Sequence, residues 1–321
     1  MFALRYINRH LFMEHEGRLY LVDTGCPKSF AINGAIPWAD RTPHAVVLDM
    51  QEGRLRFAGD NAEVSRWDLV LPFTKAPGTQ APIFRCHPEF KMIWDTGAQV
   101  GYMDMGTVPK ESIIKKTGAF GDFSPVYGPI ESPVTWLARF MPVIEKTGFD
   151  ASGDDFIGAE FTPYFLCQMA DAPAKILADI RKSGADGVLG NNWMGDKDSL
   201  TRMFTEVRGE CGELLMDCNE GVIVAICGRK GLVWIQNLPC RIDRHTGAPR
   251  RRPNPDPSEI VTENHVPVTP PVTATPIPMR TVARRVPSSL GPFTAEGLRR
   301  HIKLDNIDGL IGNDLLQDTL L

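Results

Sequence analysis

The sequence predicts a mostly β protein of two related lobes, a single-chain pseudo-dimer with few short helices. Three observations lead there. Short apolar runs with strand patterning recur between clusters of Gly, Pro, Asn and Asp. An apolar run that ends in Asp-Thr-Gly occurs twice, as Leu19-Tyr20-Leu21-Val22 into Asp23-Thr24-Gly25 and as Met92-Ile93-Trp94 into Asp95-Thr96-Gly97. A helical stretch feeding the frame Asp-Gly-apolar-apolar-Gly-Asn also occurs twice, at Asp186-Gly187-Val188-Leu189-Gly190-Asn191 and at Asp308-Gly309-Leu310-Ile311-Gly312-Asn313.

In chain order, Leu4, Tyr6, Leu11 and Met13 alternate with polar neighbours and predict strands. Glu16-Gly17-Arg18 predicts a hairpin turn before the strand into Asp23. Residues 45–48 and 54–57 read as two strands joined by Gln51-Glu52-Gly53, and 68–73 as another. The turn cluster at 75–79 separates this part from the strand into Asp95. Residues 115–131, rich in Gly and Ser, predict a hairpin, 135–146 a short helix, and 155–166 a strand pair around Thr162-Pro163. The clearest helix is 172–183. Pro173 stands in its first turn, Ile176, Leu177 and Ile180 share a face, and Gly184 stops it. Residues 213–216 and 221–226 read as a hairpin, and 232–235 as a further strand. Eleven of the 26 prolines fall in 247–292, so that stretch is an extended connection with, at most, an edge strand at Ile260-Val261. Residues 294–302 read as a helix capped by Thr294, with Glu296 in its first turn.

Composition bounds the function. With 321 residues, 43% of them hydrophobic, the chain can bury one large core or two smaller ones. A net charge of −4 gives no bulk attraction to nucleic acid. The basic runs Arg250-Arg251-Arg252 and Arg284-Arg285 lack interleaved aromatic residues and read as solvated faces. No apolar run reaches the roughly 20 residues of a membrane span, and the N-terminus shows no signal-peptide pattern. The cysteines, at 26, 86, 167, 211, 218, 227 and 240, are odd in number and scattered, which predicts free thiols in a cytoplasmic protein. Their spacings lack the short pairs of a zinc site, and neither metal nor cofactor is expected.

An isolated Asp-Thr-Gly after a strand is an ordinary Asx-type turn. Two of them, each matched by a Gly frame, point to chemistry. Two carboxylates within hydrogen-bonding distance cannot both ionise cheaply and share one proton. The ionised member can deprotonate a water between them while the protonated one donates to a carbonyl under attack. Asp23 and Asp95 are the candidate catalytic pair. Thr24 and Thr96 can tie the loops together, and Gly25 and Gly97 allow the tight turn.

These residues resemble the Asp-Thr-Gly aspartic peptidases, pepsin-like and retropepsin-like. In that superfamily two apolar residues and a Gly lie behind each catalytic loop, a role the resemblance assigns to Leu189-Gly190 and Ile311-Gly312. It implies an acid-protease-like β-barrel pseudo-dimer and endopeptidase activity on polypeptides held extended in the cleft by β-augmentation. Val126-Tyr127-Gly128 resembles the flap of pepsin-like enzymes, with Tyr127 and Gly128 as its candidates. Motif order departs from that family, because both loops precede both Gly frames. A nested arrangement accounts for this. Residues 1–75 with 240–321 form lobe A, carrying Asp23, the Gly312 frame and the Pro-rich connection 247–292. Residues 76–239 form an inserted lobe B, carrying Asp95 and the Gly190 frame. The rival is a crossed pairing of Asp23 with Gly190 and Asp95 with Gly312. A monomer is expected over a homodimer that uses one loop per chain. A catalytically inactive peptide-binding protein on the same fold is the non-enzymatic alternative. Where many acid-active members carry Ser or Thr after the Gly, this chain has Cys26 and Ala98. Neither donates strongly to the dyad, so activity is expected to reach toward neutral pH.

Overall fold

In the computed structural model, the residues described are 1–50, 52–58, 69–87, 89–124, 127–137, 141–142, 167–194, 223–229, 231–236, 241–242, 249–250, 277–289 and 295–317. They are mostly β. Three strands lead to the first loop: β1 (Phe2–Ile7), β2 (His10–His15) and β3 (Arg18–Val22). Beyond it come β4 (Phe30–Ala31), β5 (Ala35–Ala39), β6 (Ala45–Asp49), β7 (Arg54–Ala58) and β8 (Leu69–Pro72). The second loop is preceded by β9 (Thr74–Lys75), β10 (Pro82–His87) and β11 (Phe90–Trp94). It is followed by β12 (Gly101–Met103), β13 (Ile113–Ser124), β14 (Gly128–Leu137), β15 (Met141–Pro142), β16 (Cys167–Asp171), helix α1 (Ala174–Lys182) and β17 (Gly187–Leu189). The remainder comprises β18 (Ile223–Cys227), β19 (Leu232–Gln236), β20 (Arg241–Ile242), β21 (Pro249–Arg250), β22 (Thr281–Arg285), helix α2 (Ala295–Ile302), β23 (Ile307–Ile311) and the single turn α3 (Asn313–Leu316).

Two large sheets result. One has the order β4-β23-β3-β2-β1-β7-β6-β18-β19-β8; the other runs β13-β14-β16-β12-β17-β11-β10-β15, with β9 also on β10. The hairpins that build the first sheet turn through two residues of positive φ, Asn8-Arg9 (49° and 63°) and Glu16-Gly17 (49° and 75°). That conformation matches the right-handed twist of the strands it joins.

The two strands that lead into the Asp-Thr-Gly loops are apolar on both faces, and the core explains why. In β3, Tyr20 and Val22 enter one cluster together with Trp94 and Met92 of β11, Leu189 of β17 and Ile311 of β23. Leu19 and Leu21, on the opposite face, pack with Ala295, Leu298 and Ile302 of α2. In β11, Ile93 faces away from the common cluster toward Ile180 of α1 and Val188. Each loop strand is therefore sandwiched between a core shared by both sheets and a helix of its own. Phe84 and Trp94 stack in the shared core, with ring centroids 5.8 Å apart.

Several expectations change here. Among the described residues neither sheet closes into a barrel, since each runs from one edge strand to another. The faces that two separate barrels would have buried internally are instead buried against each other. β18 and β19, placed by sequence in the inserted segment, pair with β6 and β8 of the first sheet. They pair with each other as a hairpin; the expected partner at 213–216 lies outside the described residues. The helix expected over 135–146 starts as strand: β14 runs through Leu137 with β13 on one side and β16 on the other, and Val134, Thr135 and Trp136 favour the strand themselves. Within the Pro-rich connection, β22 pairs among the described residues with β5 alone, an edge position that suits its flanking prolines. The strands proposed at 155–166 and at Ile260-Val261, and the cap at Thr294, lie outside the described residues.

Candidate active site

The two loops meet across the shared core. β3 is flanked in parallel by β23, placing Leu310 beside Leu21 and Ile311 beside Val22. β11 is flanked in parallel by β17, with Val188 beside Ile93 and Leu189 beside Trp94. The Asp23 N–H donates to the Ile311 carbonyl and the Asp95 N–H to that of Leu189, both at 2.9 Å, so each loop leaves its strand at a point pinned by its own Gly frame. Gly190 lies against the backbone of Val100, and Gly312 against Lys28 and Cys26; an added Cβ would come within 2.4 Å and 2.7 Å of those atoms. Only glycine fits these crossings.

A reciprocal exchange ties the loops to each other. The Thr24 N–H donates to Thr96 Oγ1 at 3.1 Å, and the Thr96 N–H to Thr24 Oγ1 at 3.0 Å. Each hydroxyl in turn donates to the strand of the other loop, Thr24 to the Trp94 carbonyl and Thr96 to the Val22 carbonyl, both at 2.7 Å. Both threonines are fully buried. The asparagines after the Gly frames repeat the symmetry: Asn313 Nδ2 donates to the Thr24 carbonyl at 2.8 Å and Asn191 Nδ2 to the Thr96 carbonyl at 2.7 Å.

This brace brings Asp23 and Asp95 into contact. A Cβ on Gly25 would sit 2.5 Å from the Asp95 carboxyl carbon, and one on Gly97 would sit 2.6 Å from that of Asp23. Each carboxyl thus rests on the glycine of the opposite loop. Asp23 Oδ1 accepts from the N–H groups of Gly25 and Cys26 at 2.8 and 2.9 Å, and Asp95 Oδ1 from Gly97 at 2.8 Å. Burial, then the Asp95 charge and the hydrogen bond between the two carboxyls, hold Asp23 well above the usual carboxylate range. Burial also raises Asp95. The proton retained belongs to the pair. The Cys26 thiol donates to the Lys28 carbonyl at 3.3 Å, away from the dyad, and burial keeps it protonated.

These shifts have a stability consequence. As pH rises past about 4, the unfolded chain releases protons that the folded pair keeps, so the fold loses stability up to the folded pKa. Asp23→Asn and Asp95→Asn remove that loss. Each variant is expected to gain thermal stability over the parent at pH 7 relative to pH 3, and a melting series across that range checks it. A difference between parent and variant that does not change with pH would contradict the raised carboxyls.

The expected flap residues lie at the turn of the β13–β14 hairpin, where Gly128 takes a φ of 77°. The Tyr127 hydroxyl donates to Asp179 on α1, so that side chain is tied to the helix. Further along β13, Asp122 contacts Tyr102 on β12, the strand that follows the second loop. Its Oδ2 accepts from the Tyr102 hydroxyl at 2.5 Å, and its Oδ1 lies 3.3 Å from His301 Nε2. Asp122, Tyr102 and His301 carry no motif, and the contact between β13 and α2 spans most of the chain, so sequence alone offered no signal for them. Asn191 and Asn313 could have been found, since both sit in the repeated frame.

A scan against protein-family models returns no match, and a search of curated proteins returns none either.

Proposed function

We propose that this protein is an aspartic endopeptidase in which Asp23 and Asp95 together activate water against a peptide carbonyl. The observation that carries this reading is the pair of buried carboxyls, each resting on the other loop's glycine and held by the Thr24–Thr96 exchange. The geometry matches the chemistry required: two raised carboxyls keep one proton between them, giving a base and an acid at the same point. Thr24 and Thr96 brace the loops, Gly25 and Gly97 allow the approach, and Leu189-Gly190 and Ile311-Gly312 back them. In this reading the chain is an acid-protease-like pseudo-dimer with nested halves, each loop backed by its own Gly frame. Both loops come from one chain, which favours a monomer over a homodimer with one loop per chain. β13 is the outer strand of its sheet among the described residues and offers an edge for an extended polypeptide. We place the enzyme in the cytoplasm on its scattered thiols. No helix among the described residues is long and apolar enough to cross a membrane.

Incubation with denatured casein from about pH 3 to about pH 8 tests the reading, with a statine-type inhibitor as control. Cleavage blocked by statine, and persisting above the ordinary carboxylate range of about pH 4, is the expected result. A folded chain that neither cleaves casein at any pH nor binds statine would overturn it. Statine binding without cleavage would identify the inactive peptide-binding form.

A further inference from the structure

Asp122 meets two elements, β12 and α2, although it belongs to neither loop. On its own sheet it takes the hydroxyl of Tyr102, on β12, the strand that follows the Asp95 loop. Across from it stands His301 on α2, the helix that covers the first sheet. The His301 ring meets that of His10 edge-on, with centroids 6.3 Å apart, and His10 Nδ1 lies 3.3 Å from Gln99 Nε2, just past the second loop. The Asp122 side chain is only 12% exposed. A nearly buried carboxyl whose charge reaches Asp95 is an expensive way to fasten a hairpin, because a neutral hydrogen-bonding side chain would do so without the repulsion.

We propose that Asp122 is a positioning residue of the dyad: held by the Tyr102 hydroxyl and facing His301, it fixes the β13–β14 hairpin beside the strand that follows the second loop and sets a third negative charge within reach of Asp95. The inference rests on the peptidase reading for its kinetic consequence and stands apart from it in its electrostatic one. Titratable groups around Asp122 include Asp95 on the second loop, Tyr102 on β12, His301 on α2 and His10 on β2. Burial pushes His10 down to about 4, so it brings no charge at neutral pH. The Tyr102 phenol is held protonated by burial and by Asp122 itself. A carboxylate here opposes loss of the dyad's last proton and extends the one-proton window upward in pH; Asp122 contributes in this direction to the raised Asp95.

Two substitutions separate charge from fastening. Asp122→Asn keeps an oxygen for the Tyr102 hydroxyl and removes the charge, while Tyr102→Phe removes the tie and keeps the charge. In the full chain carrying 13C-carboxyl aspartate, the Asp23 and Asp95 resonances report dyad ionisation without any need for turnover. In Asp122→Asn the last dyad proton is expected to leave about one pH unit lower, and the basic limb of kcat/KM on casein moves with it. Asp122→Ser, neutral as well, must give the same shift. Tyr102→Phe is expected to leave the dyad titration in place while speeding hydrogen exchange in the hairpin. Unchanged dyad titration in both neutral variants, or an unchanged hairpin in Tyr102→Phe, would overturn the proposal. A shifted titration in a chain that cleaves nothing would uphold it and remove the peptidase reading alone.

Discussion

Asp23→Asn and Asp95→Asn are each expected to lower kcat/KM on a peptide substrate by about 10³- to 10⁴-fold. An amide can still accept the loop N–H bonds of Gly25, Cys26 and Gly97, so the loop geometry survives the substitution. What it cannot do is hold the charge that deprotonates water or pass on the shared proton. Because each carboxyl lies on the opposite glycine, the two groups act as one acid–base unit, and the losses should be similar in size. The double variant should then be little worse than either single one. Steady-state kinetics on a fluorogenic peptide, with statine binding as a check on the folded site, measures this. A tenfold loss or less in either variant would remove that aspartate from the reaction. Loss in one alone would point to a site completed by a second copy.

Thr24→Val and Thr96→Val are expected to destabilise the fold by about 2–5 kcal/mol each. Valine matches threonine in shape, so the change is one of hydrogen bonding rather than packing. Loss of the Thr24 hydroxyl leaves the Trp94 carbonyl and the Thr96 N–H without their partner in a fully buried place. Loss of the Thr96 hydroxyl does the same to the Val22 carbonyl and the Thr24 N–H. Each orphaned group costs about 1–3 kcal/mol. Serine keeps the hydroxyl and gives up one methyl, so Thr24→Ser should cost only about 1 kcal/mol. Urea unfolding of the three variants decides the matter. A Val variant as stable as its Ser counterpart would mean that the exchange does not hold the loops. Since the two threonines join the sheets at the dyad, Val variants should also lose activity under conditions where they remain folded.

Much of the site was legible from residues close together in sequence. The strand, the carboxyl, the hydroxyl and the glycine of each loop lie within a single run, and their roles follow from bonding over two or three residues. The same holds for α1, where Ile176 and Ile180 marked the face that packs behind β17, and Gly184 marked its end. Repetition supplied the rest: two copies of each motif imply a symmetrical pair even before their partners are known.

Residues 135–137 are strand because β13 and β16 both pair with them, in agreement with the strand preference of Thr135 and Trp136. β18 and β19 fall on the first sheet because the open edges of β6 and β8 bond them there, far from them in sequence. Asp122 and His301 meet only because the hairpin of one sheet reaches the helix of the other. Sequence by itself therefore determined the β class, the two loops and the four short motifs, because each is encoded in local bonding and burial patterns. The tertiary structure alone decided which sheet received each later strand, that the two sheets share one core without closing among the described residues, and which third carboxyl acts on Asp95. Those outcomes depend on long-range pairing and burial, where many registers satisfy the same local pattern and only the assembled packing selects among them.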